Sequence, residues 1–288
     1  MDEILRAESV VSACVYFGAI AVVAAWEWAA PKRPPGAALR RRWGANIAVT
    51  LIDTVALRLA FPVAGVAFAQ AMADGGIGLF NAVAAPLWLA VGATVIVCDL
   101  CRYGVHRALH AVPVLWRLHG MHHTDQDYDF TTGLRFHPLE SVVTTGAMLL
   151  PVAALGAPPE ALLVSEALFI ASAMASHANV RIPARAERLA RLFAVTPDMH
   201  RVHHSADRRE TDSNYGTMLP WWDRLFGTYV AQPAAGHAGM AIGLAAFRDP
   251  RHLGLGWMLA FPFLRADRGG AAARTDLSSA PTGSRGRA

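Results

Sequence analysis

Charged residues are scarce in this 288-residue sequence. Asp, Glu, Lys and Arg together make up 17% of it, whereas hydrophobic residues make up 54%. Because a soluble domain is typically about one quarter charged, this balance favours a membrane protein. Lys32 is the only lysine, so the net charge of +4 depends on arginine. The sequence has no basic stripe interleaved with aromatic residues, which is the pattern that would indicate nucleic-acid binding. We therefore expect no nucleic-acid partner.

Cysteine is also scarce: Cys14, Cys98 and Cys101 all lie in apolar stretches. A disulfide framework is therefore not predicted, and the single CxxC pair is more typical of apolar packing than of redox or zinc chemistry. Two motifs are missing. The absence of HExxH argues against that class of metalloprotease, and the absence of GxGxxG argues against a dinucleotide-binding domain.

Long apolar stretches are what the sequence does contain, at about residues 10–30, 45–73 and 80–97, with a hairpin at 141–176 broken by GAPPE. They predict an all-α, integral-membrane bundle of about four to five apolar helices, capped by a cytosolic helical, histidine-rich metal site. Residues 1–90 are predicted to form N-terminal membrane anchor helices. The acidic start of this segment argues against a cleaved signal peptide. Within it, Asp53 and Arg58 are predicted to pair with each other.

The loops predict the orientation of the bundle. Five basic residues between positions 32 and 42 mark the cytoplasmic side, and neither hairpin turn carries a basic residue. The polar segments 98–140 and 177–229 should therefore lie together on the cytoplasmic side. Residues 233–265 are predicted to be an interfacial segment and 266–288 a disordered tail.

Ten of the twelve histidines fall in these two polar segments. HRALH (106–110) has i, i+4 spacing, while HGMHH (119–123) and HRVHH (200–204) have i, i+3, i+4 spacing. On a helix such positions lie close together on one side, and imidazole is the commonest metal ligand in proteins. Eight histidines are too many for one ion, so two metals are predicted. His137 and His177 could reach the same site, whereas His237 and His252 are interpreted as non-ligands.

The motifs DLCRYGVHRALH, LWRLHGMHH, TTGLRFHPLE, SHANV and VTPDMHRVHHSADRRETDSNYGTMLPWWDRLFGTY resemble the fatty acid hydroxylase / sterol desaturase superfamily of membrane non-haem di-iron oxygenases. The resemblance assigns residues 91–232 to the di-iron domain. It implies metal ligands at His106, His110, His119, His122, His123, His137, His177, His200, His203 and His204. It also implies that Asp99, Asn214 and Asp223 orient imidazoles through the ring nitrogen that does not bind metal.

The same resemblance implies two iron ions, O₂ as co-substrate, a lipid substrate and a separate electron donor, either a ferredoxin or a b-type cytochrome with its reductase. It implies hydroxylation of a lipid C–H bond in a membrane, and the composition suggests a bacterial inner membrane. Desaturation by the same metal site is an alternative that no residue separates. A haem-binding electron carrier and a metal-binding membrane protein without redox activity are two further alternatives. The identity of the lipid is left open.

Overall fold

A computed structural model describes residues 2–36, 38–63 and 65–264. Over these residues the chain is helical, with short 3₁₀ turns, two isolated β-bridges and no β-sheet. In chain order the helices are α1 Asp2–Ala29, α2 Leu39–Ala60, α3 Val66–Asp74, α4 Leu79–Ala82, α5 Leu87–Ala111, α6 Pro113–His123, α7 Pro138–Leu155, α8 Pro159–Ser176, α9 Ala184–Ala190, α10 Pro197–His203, α11 Arg208–Thr211, α12 Trp221–Leu225, α13 Gly236–Gly239 and α14 Leu255–Ala260.

Five helices in the described part of the chain are long and apolar enough to cross a membrane: residues 8–29 of α1, and the whole of α2, α5, α7 and α8. A 22-residue helix is about 33 Å long, which matches a hydrocarbon core about 30 Å thick. Phe17, Leu59 and Leu150 are each more than 60% exposed, as expected for side chains that contact lipid. The protein is an all-α membrane protein, and the predicted fold class is confirmed.

Two of the apolar stretches fold differently from the prediction. Residues 45–73 do not form one helix, because α2 ends at Ala60 and α3 begins at Val66. Pro62 lies in the break, where its ring and missing N–H are incompatible with a continuous helix. The third stretch, predicted to end at residue 97, belongs to α5, which continues to Ala111. At 25 residues, α5 is about 37 Å long, so one helix carries both an apolar half and the first histidine motif.

The two hairpin turns contact each other at one end of the bundle. Gly78 and Gly156 have φ of +98° and +57°, and a Cβ on Gly78 would overlap the backbone of Gly156. α8 packs against α1 and α5, while α7 packs against α2 and α5. The two histidine-rich segments meet at the opposite end, as the alternation of apolar and polar stretches predicts.

The predicted pairing of Asp53 with Arg58 is wrong. No ion pair joins them in the described part of the chain; Arg58 is exposed and Asp53 interacts with Ser141 of α7. Five residues advance about 140° around a helix, so the two side chains leave α2 in different directions.

The basic segment between α1 and α2 is tied to the polar end. Lys32 Nζ lies 2.8 Å from the Asp198 carboxylate, and Arg33 donates to the Met240 carbonyl at 3.0 Å. The predicted interfacial segment, residues 233–265, contains short elements: α13, α14 and the 3₁₀ turns Pro250–Leu253 and Phe261–Phe263, with α14 packed on α2. The predicted tail, 266–288, lies outside the described residues.

Candidate metal centre

Nine histidines converge into two adjacent groups. In each group the ring nitrogens that could bind an ion lie within 4.8 Å of one another. The five-histidine group and the four-histidine group touch: the His123 and His204 rings stack with centroids 4.7 Å apart. All nine are buried except His106, which is partly buried. The five-histidine group is His106, His110, His119, His123 and His203, and the four-histidine group is His122, His177, His200 and His204.

Each HxxHH motif contributes to both groups. His119 and His123 belong to the five-histidine group, but His122 belongs to the other. The motif at 200–204 does the reverse, because only His203 joins the five-histidine group. Positions i and i+4 are about 40° apart on a helix, whereas i+3 is about 60° from i in the opposite direction. The spacing therefore directs the middle histidine toward a different point in space.

The nitrogen that faces away from each group has an acceptor in most cases. Nδ1 of His106 lies 2.8 Å from the Tyr215 carbonyl, and Nδ1 of His203 lies 2.7 Å from the Ser213 carbonyl. Because a carbonyl oxygen can only accept, each Nδ1 carries the proton and each Nε2 has a free lone pair. The remaining pairs are His177–Ala173 O at 2.8 Å, His122–Arg135 O at 3.2 Å, His119–Glu140 at 2.6 Å and His110–Asp212 at 3.3 Å.

This protonation pattern leaves nitrogen lone pairs facing each other. In the five-histidine group, Nε2 of His106 and Nε2 of His119 are 3.2 Å apart. In the four-histidine group, Nε2 of His122 and Nε2 of His177 are 3.3 Å apart. Two unprotonated nitrogens at this distance repel unless a cation lies between them. Nε2 of His110, His203 and His204 is buried with no hydrogen-bond partner among the described residues. Both groups fit a bound metal ion.

Burial also keeps these imidazoles neutral. Desolvation, with neighbouring histidines, lowers the pKa of His203 to about 3, and desolvation lowers that of His177 to about 4. The same causes hold the pKa of four other histidines well below 6.5: His122, His123, His200 and His204. Neutral imidazole is the form that binds metal, so no proton has to leave these rings at pH 7.

His137 is not brought to either group. Its Nδ1 accepts a hydrogen bond from the Leu139 N–H at 3.1 Å and its Nε2 lies 3.2 Å from the Leu259 carbonyl. Both nitrogens are used by the backbone, so His137 caps the start of α7 in place of the predicted ligand role. Glu140, one turn later in the same RFHPLE motif, is the residue that reaches the site. Glu140 is not among the residues predicted from the sequence, although a carboxylate close to a histidine in a polar segment is a recognisable signal.

The three polar residues predicted to orient imidazoles act on the backbone instead. Asp99 accepts hydrogen bonds from the Met218 and Leu219 N–H groups at 3.2 and 3.1 Å, and from Trp222 Nε1 at 2.8 Å. Asp223 accepts from the N–H groups of residues 215 and 216, both at 2.8 Å. Asn214, at φ +49°, donates to the carbonyls of residues 199 and 230 at 3.0 and 2.8 Å.

These contacts shape the loop at residues 213–219. That loop supplies the carbonyls of Ser213 and Tyr215, which accept from His203 and His106. The effect on the imidazoles is therefore less direct than predicted, because the loop backbone lies between them and the side chains of Asp99, Asn214 and Asp223. Burial is the main cause of a raised pKa at Asp223, while its hydrogen bonds from Thr228 and the backbone oppose that rise.

A mostly apolar cavity of about 520 Å³ opens beneath the histidines. Its wall at the histidine end includes His106, His119, His122, His177 and His200. It continues along α7 as far as Val152, which is twelve residues, or about 18 Å of helix, beyond Glu140. The arrangement can hold a long apolar molecule with one part next to both histidine groups.

Part of the chain is similar to one family of known proteins. Residues 91–228, just under half of the chain, match the fatty acid hydroxylase family. An ornithine lipid hydroxylase of Rhizobium tropici is 32% identical over 149 residues, covering 51% of this chain and 44% of that protein. The alkylglycerol monooxygenase of Homo sapiens is 33% identical over 136 residues, covering 46% of this chain and 29% of that protein.

A fatty acid hydroxylase of a Lecanicillium species is 32% identical over 163 residues, covering 49% of this chain and 42% of that protein. The matched part of the chain thus spans less than half the length of these curated relatives. No solved structure matches the chain.

Proposed function

We propose that the protein is a membrane di-iron monooxygenase that hydroxylates a C–H bond of a lipid, using O₂ and electrons from a separate donor. The observation that carries the proposal is the pair of facing Nε2 lone pairs in each histidine group, 3.2 and 3.3 Å apart. Each pair requires a cation, so two groups call for two metals. The match to the fatty acid hydroxylase family, with relatives named as lipid hydroxylases and monooxygenases, supports a lipid substrate, and the resemblance to membrane di-iron oxygenases supports iron.

In this proposal the five-histidine group holds one iron and the four-histidine group holds the other. When bound, the two ions would supply the activation of O₂ and the oxidation of the C–H bond. The chain's own part is to fix nine imidazoles in direction, six of which are kept neutral by burial. Glu140 and Asp212 fix the direction of His119 and His110 by accepting hydrogen bonds from their Nδ1–H groups, which also makes the Nε2 atoms better donors to metal.

The cavity supports a lipid substrate. Phe136, Ile170 and Met174 line it close to the histidines, and Met148 and Leu162 line its remote part. Apolar walls favour an acyl or alkyl chain over a water-soluble substrate and keep water away from the oxidising site.

Electron supply and orientation complete the proposal. Residues 91–232 form the di-iron domain, residues 1–90 the membrane anchor, and 233–265 an interfacial segment. Exposed Arg40 and Arg41, beside the histidine end of the bundle, favour the cytoplasmic side of a bacterial inner membrane. A soluble ferredoxin or a b-type cytochrome with its reductase would deliver electrons there. No GxGxxG fingerprint occurs in the 288 residues.

The test combines metal content with product analysis. The full chain would be purified without oxygen and its iron measured; two iron ions per chain are expected. Lipids from cells with and without the protein would then be compared by mass spectrometry, and a gain of one oxygen atom is expected. His122→Ala and His203→Ala each remove one ligand, one from each group, and should abolish the product. His237→Ala, a histidine outside both groups, is the matched control.

Four outcomes would contradict all or part of the proposal. Full activity with zinc alone would exclude iron-dependent oxygen chemistry. Activity retained in both His122→Ala and His203→Ala would exclude the ligand assignment. A strong Soret absorption band would indicate haem in place of non-haem iron. A product lighter by two hydrogens would replace hydroxylation with desaturation while leaving the metal site in place.

A further inference from the structure

An arginine side chain lines the cavity within the membrane-spanning region. Arg102 lies on α5, one turn before His106, and is 8% exposed. One guanidinium nitrogen, Nη2, donates to Glu166 Oε1 at 2.5 Å, and the guanidinium carbon lies 4.1 Å from the centre of the Phe169 ring. The other nitrogen, Nη1, is buried and has no hydrogen-bond partner among the described residues.

An unsatisfied guanidinium N–H is costly anywhere in a protein and more so at membrane depth, where water is scarce. Glu166 and Phe169 hold the side chain in place, so it cannot turn toward the surface to find a partner without breaking both contacts. The free N–H groups therefore indicate a polar partner that enters the cavity.

The charge balance identifies the kind of partner. Glu166 already neutralises Arg102, so a carboxylate or phosphate would add an uncompensated negative charge in a low-dielectric cavity. The other acidic residues that line the cavity, Glu8 and Glu140, would only repel an anion further. A neutral oxygen acceptor adds no charge, so its binding does not carry this cost. A carbonyl, ether or hydroxyl oxygen can accept from Nη1 without adding charge.

The position of Arg102 determines how far this oxygen would lie from the histidine groups. Phe169 and Glu166 lie eight and eleven residues before His177, or about 12 and 16 Å along α8. Apolar residues line the cavity on both sides of this level, with Ile170 and Met174 toward the histidines and Leu162 away from them. An oxygen bound to Arg102 would thus have apolar chain on each side, with one arm reaching the metal groups.

We propose that Arg102 is a substrate-binding residue that donates a hydrogen bond from Nη1 to a neutral oxygen within the lipid chain. The substrate class is then a lipid with an ester, amide, ether or hydroxyl oxygen flanked by apolar chain, oxidised several bonds away from that oxygen. Naming this molecule as the substrate rests on the proposed function, whereas its binding does not.

Binding can be measured without turnover. The full chain in nanodiscs, without reductant, would bind octyl octanoate or heptadecane, two probes of equal chain length that differ in the ester. A hydrogen bond to a charged donor should favour the ester by about tenfold or more. Comparing this ratio between variants cancels the partitioning of both probes into lipid. Arg102→Met should reduce the preference to within about twofold, while Arg58→Met, the same change at an exposed α2 position, should preserve it.

Because Arg102→Met leaves Glu166 without its partner, the double variant R102M/E166L keeps the test valid if the single variant does not fold. An ester preference that persists in either variant overturns the proposal, as does its absence from the unmodified protein. A stronger, Arg102-dependent preference for palmitate would instead indicate an anion site and also overturn it. Loss of the ester preference with both irons still bound defines a role in binding, separate from the metal chemistry.

Discussion

Replacement of Glu140 by alanine should weaken one metal site and spare the other. Its carboxylate lies 2.6 Å from His119 Nδ1, and both side chains are 3% exposed. Removing it leaves a buried N–H without an acceptor, which costs about 1–3 kcal/mol. It also frees the ring to rotate and lowers the basicity of Nε2. Loss of such a partner typically lowers metal affinity by 10- to 100-fold. Because His119 belongs to the five-histidine group alone, only that site should be affected.

The assay is titration of the metal-free protein with ferrous iron against a chelator of known affinity. We expect two sites in the unmodified protein, one of them weakened 10- to 100-fold in Glu140→Ala. In Glu140→Gln the effect should be smaller, because an amide oxygen still accepts the hydrogen bond. Glu160→Gln, an exposed position on α8, is the control. Two unchanged sites in Glu140→Ala would refute the role assigned to Glu140, and an equal loss at both sites would refute the division into two groups.

Three further outcomes are expected. Asp99→Ala should strongly lower the midpoint temperature of thermal unfolding, because Asp99 accepts three hydrogen bonds that join α5 to the 218–222 segment. Asp99→Asn should lower this midpoint less. Gly156→Ala should lower the midpoint and shift hairpin packing, since φ is +57° and a Cβ there would overlap Ile77 O. Metal-free protein should lose stability as pH falls from 6.5 toward 4, because the folded-state pKa values of His177 (about 4) and His203 (about 3) lie below the unfolded value. Each such histidine contributes a slope of up to about 1.4 kcal/mol per pH unit, and a midpoint that is constant from pH 7 to pH 4.5 would contradict it.

Local periodicity was enough to predict most of the fold and of the site. Apolar runs of about 20 residues identify membrane helices because the bilayer fixes their length. Hairpin turns without basic residues place both histidine-rich segments at one end. The i, i+4 spacing of His106 and His110 aligns them on α5, and both join the five-histidine group. Each of these inferences depends on geometry within one helix or on the number of crossings, which the sequence records directly.

Contacts between distant segments could not be predicted in the same way. The RFHPLE motif offers both His137 and Glu140, and only the docking of α7 beside α6 decides that Glu140 reaches His119. An aspartate such as Asp99 is the kind of residue expected to orient a histidine. Its carboxylate oxygens instead accept hydrogen bonds from the backbone N–H groups of residues 218 and 219. A binding role for Arg102 could not be predicted from the sequence, because a lone arginine near a polar segment is common. Its free N–H is evident only when the position of Glu166 in the fold is known.

The crossed contribution of the two HxxHH motifs bears on how the site assembles. α6 supplies His119 and His123 to one group and His122 to the other, while the α10 motif supplies His203 to the first and His200 with His204 to the second. Neither motif can complete a group by itself, and the rings of His203 and His204 each lie 4.7 Å from the His123 ring, so bringing the α10 motif to α6 adds ligands to both groups at once. A displacement of α10 would open both groups, whereas loss of Glu140 acts on His119 alone. The two metals should therefore be gained or lost together when the segments separate, and individually when a single imidazole is disturbed.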